Sequence, residues 1–129
     1  MTQEQKDLLL KDLCARLPYG VKLGFYASAT KQTYICTLLG LEPQEDEPVI
    51  AKTENGSFYM LSGNVKPYLF PLSSMTDEQE KEYNNLNCWE LGCFPHTEEA
   101  LDYLIANHFD YRGLISMGLA IDATGLNIY

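Results

Sequence analysis

VIAKTENGSFYMLS, residues 49–62, is the stretch on which the fold class turns. Two runs of strand-forming residues stand either side of Asn55-Gly56. That pair accepts the positive φ angles of a type I′ turn, whose twist matches a two-residue hairpin loop. The spacing predicts antiparallel strands over 49–54 and 57–62, and hence a sheet that grows by hairpins.

Working outward, VKLGFYAS (21–28) alternates Val21, Leu23 and Phe25 with Lys22, Gly24 and Tyr26, the period of a half-buried strand. ATKQ turns the chain, and TYICTLLGL (33–41) reads as a second strand, apolar enough to be more central. EPQEDEP (42–48) reads as a solvated loop. On the other side, NVKPYLFPL holds an extended stretch over 65–70, but Pro67 and Pro71 lack the N–H that a ladder needs on both sides. That places it at a sheet edge or outside the sheet.

The helices announce themselves by their caps. Thr2 with Gln5 and Thr76 with Gln79 have capping-box spacing. The first helix carries Leu9, Leu10, Leu13 and Leu17 on one face with Cys14 alongside, and ends before Pro18. The second, DEQEKEYNNL (77–86), is polar apart from Tyr83 and Leu86. NCWELGCF (87–94) reads as a short strand holding Trp89. Thr97 caps a third helix over 97–108 with Ala100, Leu101, Leu104 and Ile105 inward. Together these predict one α+β domain over 1–129, a mainly antiparallel four- to five-stranded sheet packed against two or three helices.

Composition narrows the function. Among 129 residues, 46% are hydrophobic and 21% charged, which excludes wholesale disorder. Nine basic against eighteen acidic residues give a net charge of −9. Phosphate backbones and anionic membrane surfaces both bind through clustered Lys and Arg, so neither nucleic acid nor membrane is an expected partner. No leader-like segment or apolar run of spanning length occurs. The expected setting is the cytoplasm, with the four cysteines reduced.

KDLCARLPYGV (11–21), VKPYLFPLSSMTDEQEKEY (65–83) and HFDYRGLISMGLAIDA (108–123) carry a resemblance. The chain is similar, over a little more than a third of its length, to a group of small proteins of gut anaerobic bacteria and their prophages or other mobile elements. That group has no assigned activity. The resemblance implies a bacterial origin and transfers no catalytic residue.

Candidate sites are few. Cys88, Cys93, His96 and His108 could be assembled as a zinc set, since Cys-x4-Cys suits a first ligand pair, but twelve positions separate the histidines where structural sites use far fewer. A Cys–His nucleophile pair could draw on the same residues, with nothing in the sequence to fix its geometry. No cofactor motif occurs. NHFDYRGL (107–114) gathers His108, Asp110, Tyr111 and Arg112. In a small hydrolase or transferase, His108, Asp110 and Arg112 would share a pocket. In the architectural alternative, His108 meets the last carbonyls of the third helix. Asp110 then caps a short helix over 111–117 that Gly118 closes, and 119–123 forms a terminal strand. This second reading leaves only Arg112 without a structural role.

The architectural reading explains more residue types. It leads to a non-enzymatic interaction or accessory protein of a mobile element, binding another protein through an acidic, tyrosine-bearing surface. The candidate contact residues are Tyr83, Trp89, Tyr111 and Arg112, because amphipathic aromatics and arginine are enriched at interfaces. Self-association through the edge strand 57–62 is a further expectation.

Overall fold

The computed structural model describes residues 2–42, 50–54, 58–60, 65–86 and 98–129. It shows an α+β fold in which helices pack on a mostly antiparallel sheet. The helices are α1 (Gln3–Arg16), α2 (Asp77–Leu86) and α3 (Glu98–Ala106). The strands are β1 (Lys22–Ala27), β2 (Gln32–Glu42), β3 (Ile50–Thr53), β4 (Phe58–Met60), β5 (Val65–Pro71), β6 (Phe109–Asp110) and β7 (Ile121–Asp122). They run in the order β4-β3-β2-β1-β5-β6, with β7 also on β5. The four or five strands expected become seven among the described residues, because two short parallel pairs from the 109–122 region join β5.

Both capping boxes form. Thr2 Oγ1 accepts from Gln5 N at 3.1 Å while Gln5 Oε1 accepts from Thr2 N at 3.0 Å. Thr76 and Gln79 repeat the exchange at 3.2 and 2.9 Å. Each box supplies acceptors to backbone N–H groups that a helix start leaves orphaned.

One face of the sheet is the core. Leu23, Cys36 and Val65 lie on it opposite Leu9 and Leu13 of α1, and Leu69, Leu114 and Leu119 complete the cluster. Alternation sends Gly24, Tyr26 and Ile35 to the other face, where Tyr26 and Ile35 are exposed. Cys14, expected beside the core, is exposed on α1, whereas Asp12 and Arg16 occupy the buried stripe.

The hairpin is present with a different register. A two-residue loop at Asn55-Gly56 would set Lys52 opposite Tyr59, but Lys52 pairs with Phe58. A register of this parity goes with three- or five-residue connections. Asn55 and Gly56 themselves lie outside the described residues. Leu39 is the extra residue of a bulge in β2, where the pairing shifts between Leu38 and Gly40.

The two prolines do not put β5 at an edge. It pairs with β1 and β6 along one edge and with β7 along the other, because its hydrogen bonds avoid the missing donors. Leu69 C=O accepts from Ala123 N at 2.8 Å, and Phe70 N–H donates to His108 C=O at 2.8 Å. These two groups belong to one peptide unit and point opposite ways, so β7 and β6 pair with opposite edges of β5. Pro71 ends the strand.

Residues 111–117 do not form the short helix expected, and a single turn follows Gly113. Gly113 has φ 77° and interrupts any helix begun at Tyr111. Gly118, also at φ 77°, closes the turn as predicted. Leu119 N donates to Leu114 C=O at 2.9 Å and Gly118 N to Ile115 C=O at 3.0 Å, the paired bonds of a Schellman motif.

Candidate functional site

The site begins where α3 ends. Asn107 N donates to Tyr103 C=O at 3.1 Å and Asn107 Nδ2 donates to the same oxygen at 2.8 Å. His108 N reaches Ile105 C=O at 3.1 Å, and His108 takes φ 63°. A left-handed residue at this point turns the chain sharply, as glycine or asparagine more often does. The turn sends the backbone into β6 and buries the imidazole, which is 8% exposed.

That burial reverses the electrostatic expectation. A histidine at a helix C-terminus is ordinarily held protonated by the dipole. Here desolvation, followed by the positive charges of Arg16 and Lys22, lowers the His108 pKa to about 4. The ring stacks on Tyr129 with centroids 3.8 Å apart and planes at 14°. Nδ1 is buried without a hydrogen-bond partner.

His108 forms part of the wall of a cavity of about 450 Å³. Phe70, Phe109 and Tyr129 give it an aromatic floor, and Ser74, Gln79, Asn107 and Thr124 supply polar groups. This volume lies within the range of small-ligand pockets. Tyr129 is held firmly. Its hydroxyl accepts from Lys22 N at 2.8 Å and donates to Tyr68 C=O at 2.8 Å. The register of Leu23 with Pro67 makes Lys22 and Tyr68 the next opposed pair, so the phenol bridges a rung of the β1–β5 ladder. Although 42% of the residue is exposed, the enclosed hydroxyl has its pKa pushed up to about 12, chiefly by burial.

Asp110 and Arg112 do not line this cavity. Asp110 is buried, and its two carboxylate oxygens accept from Leu114 N at 2.8 Å and Ile115 N at 2.9 Å. It therefore caps the 113–117 turn, two residues further on than an N-cap would reach. Arg112 acquires the structural role it lacked in the sequence. Its Nε donates to Asp12 Oδ1 at 3.2 Å, and its guanidinium lies 4.7 Å from the centroid of Tyr111.

Asp12 bridges two arginines. Arg16 Nε donates to Asp12 Oδ2 at 2.7 Å with both side chains fully buried. Arg16 Nη2 donates to Phe109 C=O, while Nη1 is buried without a partner. Tyr111 stands beside both cations, and desolvation raises its pKa.

Of the other candidate residues, Tyr83 is half-buried on α2. Trp89, Cys88, Cys93 and His96 lie outside the described residues, so only His108 represents the zinc set in the structure. Among the described residues no three His, Cys, Asp or Glu side chains gather as metal ligands. Residues absent from the sequence reading matter most here. Asp12 and Arg16 had one visible signal, their i, i+4 spacing on a helix. Phe70, Thr124 and Tyr129, with Gln79 seen in the sequence only as a helix cap, come from three separate segments, and no local pattern joins them. No protein-family model, curated protein or solved structure matches the chain.

Proposed function

We propose that this chain acts by binding another protein, and that the cavity beside His108 receives a projecting group of that partner. The observation that carries this reading is the disposition of the polar cluster at 108–112. Asp110 is occupied by two backbone N–H groups and Arg112 by Asp12, so neither is free to act on a substrate beside His108. Ser74, whose hydroxyl is one of those in the cavity wall, donates to Pro71 C=O at 2.6 Å. An imidazole with a pKa near 4 is a weak base at neutral pH. What is left is a concave, partly aromatic surface with hydrogen-bonding groups, the composition of a recognition site.

Exposed tyrosines support a role in protein contact. Tyr19, Tyr26 and Tyr34 are each 44% exposed, and aromatic residues with a polar tip suit interfaces. Among the described residues no helix is long and apolar enough to cross a membrane. The setting in a bacterial mobile element rests on the sequence resemblance. A second copy meeting the chain along β4 is another form the partner could take, since β4 ends the strand order among the described residues.

The test is affinity capture from the native host with wild type and with Ala106→Phe, which fills the cavity from its wall. Thermal unfolding of the variant checks that it folds. The expected result is one partner retained by wild type and lost from Ala106→Phe, with Ile35→Ser on the far sheet face retaining it. Equal retention by Ala106→Phe would remove the cavity from the reading.

A further inference from the structure

Among the described residues, the ten that line the cavity include no Asp, Glu, Lys or Arg, in a chain with eighteen acids. Asp77, Glu78 and Glu80 are exposed on the first turn of α2 next to Gln79, yet none contributes to the wall. The polar groups of the wall are unevenly committed. Gln79 Oε1 accepts from Thr76 N at 2.9 Å, which leaves its NH2 as the group to offer. Asn107 Nδ2 places one hydrogen on Tyr103 C=O and keeps the second. His108 Nδ1 is sealed and unpartnered. Buried unpaired N–H groups are rarer than unpaired acceptors, so we assign the ring proton to Nε2, the nitrogen left to the cavity. Gln79, Asn107 and His108 thus each have an N–H available. Asn107 Oδ1 and the hydroxyl oxygens of Ser74 and Thr124 are the acceptors that balance them.

Charge behind the wall decides which acceptor these donors favour. Asp12 is shared by Arg16 and Arg112, so this group of three carries one positive charge in excess, while the buried Asp110 carboxylate is turned to the Leu114 and Ile115 N–H groups. Arg16 Nη2 is bonded to the carbonyl of Phe109, a wall residue, and Arg16 Nη1 has no partner at all. The positive charge of Lys22, too, acts on His108. Beside a wall without acids among the described residues, that positive charge favours an anion. Phe70, Ala106, Phe109 and Tyr129 favour an apolar body attached to it.

We infer that the cavity takes a carboxylate borne on an apolar group, received by the N–H donors of Gln79, Asn107 and His108. The inference rests on the cavity being the binding site. The carboxylate has two sources, a free organic acid or the terminal carboxylate of a protein whose last residue is apolar.

N-acetylphenylalanine and N-acetylphenylalaninamide differ only in that charge, and 3-phenylpropionate represents the free acids. Binding is followed by the side-chain amide resonances of Gln79 and Asn107 in isotope-labelled protein. The acid should bind about tenfold more tightly than the amide, the margin by which hydrogen bonds to charged groups exceed neutral ones. Gln79→Glu keeps the capping box while adding a like charge to the wall, and should abolish or invert the preference. Tripeptide acids ending in Phe that bind more tightly than 3-phenylpropionate identify a protein terminus as the source, and the reverse order identifies a free acid. Acid and amide binding alike, or Gln79→Glu retaining the preference, overturns the inference. In that event, amide-resonance shifts with the neutral probe would still leave the cavity as the binding site, whose failure is read separately from partner capture by Ala106→Phe.

Discussion

His108 and Tyr129 lie face to face, 3.8 Å apart, although they are 21 positions apart in the chain. The stack joins the two ends of one structural problem. His108 must leave α3 in a left-handed conformation, which buries its ring, and Tyr129 supplies the surface against which the ring is buried. The phenol also ties β1 to β5 through its hydroxyl. A change at either residue is therefore felt both in the cavity and in the sheet.

The depressed His108 pKa makes stability acid-sensitive in a defined window. In the unfolded chain an imidazole takes up a proton near pH 6.5, whereas in the folded protein it does so only near pH 4. Above about 6.5 both states are neutral and His108 imposes no penalty. As pH falls from there towards 4, the unfolded state binds the proton first and stability declines, by at most about 3 kcal/mol. Carboxylates titrate in the same range, so the comparison is with His108→Asn, which tolerates the left-handed conformation. Urea unfolding of both proteins from pH 7.5 to 4 should show the wild type losing more. Parallel curves would place the imidazole in contact with water.

Tyr129→Phe keeps the stack and removes only the bridging hydroxyl. Lys22 N–H and Tyr68 C=O then lose their partner. Leaving such groups unsatisfied costs about 1–3 kcal/mol. The wild type should also lose stability above pH 10. There the unfolded phenol ionises while the folded one, with its pKa near 12, resists, and Tyr129→Phe should lack this component. Denaturant titrations at pH 7 and pH 11 measure both effects.

How far the sequence foretold this arrangement depended on whether a signal was local. Thr2–Gln5 and Thr76–Gln79 act over three residues, and both capping boxes appear where spacing put them. Gly118 closes its turn for the same reason. The α+β class followed from period-two strands and capped helices. Non-local choices were hidden. Pro67 and Pro71 argue locally for an edge, but the peptide between Leu69 and Phe70 bonds to β7 on one side and to β6 on the other, and keeps β5 inside. The one-residue difference in the β3–β4 register is set by the pairing and not by the Asn-Gly signature. Asp12 carries no local sign of its burial, because its second arginine lies a hundred positions away.

Asp12→Asn should be the most damaging polar substitution in the protein. It strands the fully buried Arg16 cation beside one that is only 19% exposed. Breaking a buried pair from one side costs about 3–5 kcal/mol. Arg112→Ala, which leaves the Asp12–Arg16 pair intact, should cost about 1 kcal/mol or less. Asp12→Leu with Arg16→Met removes both charges together and should recover much of the loss, since apolar replacement of a buried pair is often neutral. Thermal unfolding of the three variants orders them. A mild Asp12→Asn would mean that water reaches Arg16.

Gly24 tests the sheet's second face. A Cβ built there would stand 2.9 Å from Tyr68 Cε2, Tyr68 Oη and Ile121 Cδ1. The isoleucine methyl is the far end of a flexible chain and can move. Tyr68 cannot move as readily, because its ring is 4% exposed and its carbonyl is held by Tyr129. Gly24→Ala should therefore cost about 1–3 kcal/mol, the range for overpacking a close-packed site. Strand propensity pulls the other way, since glycine is a poor strand former, so the sign itself separates the two effects. The decisive comparison repeats Gly24→Ala in a Tyr68→Leu background, where the added methyl finds room and the cost should fall or reverse. The same cost in both backgrounds would show that Tyr68 does not press on Gly24. The contact that joins β1 to β5 and β7 on this face would then lie elsewhere.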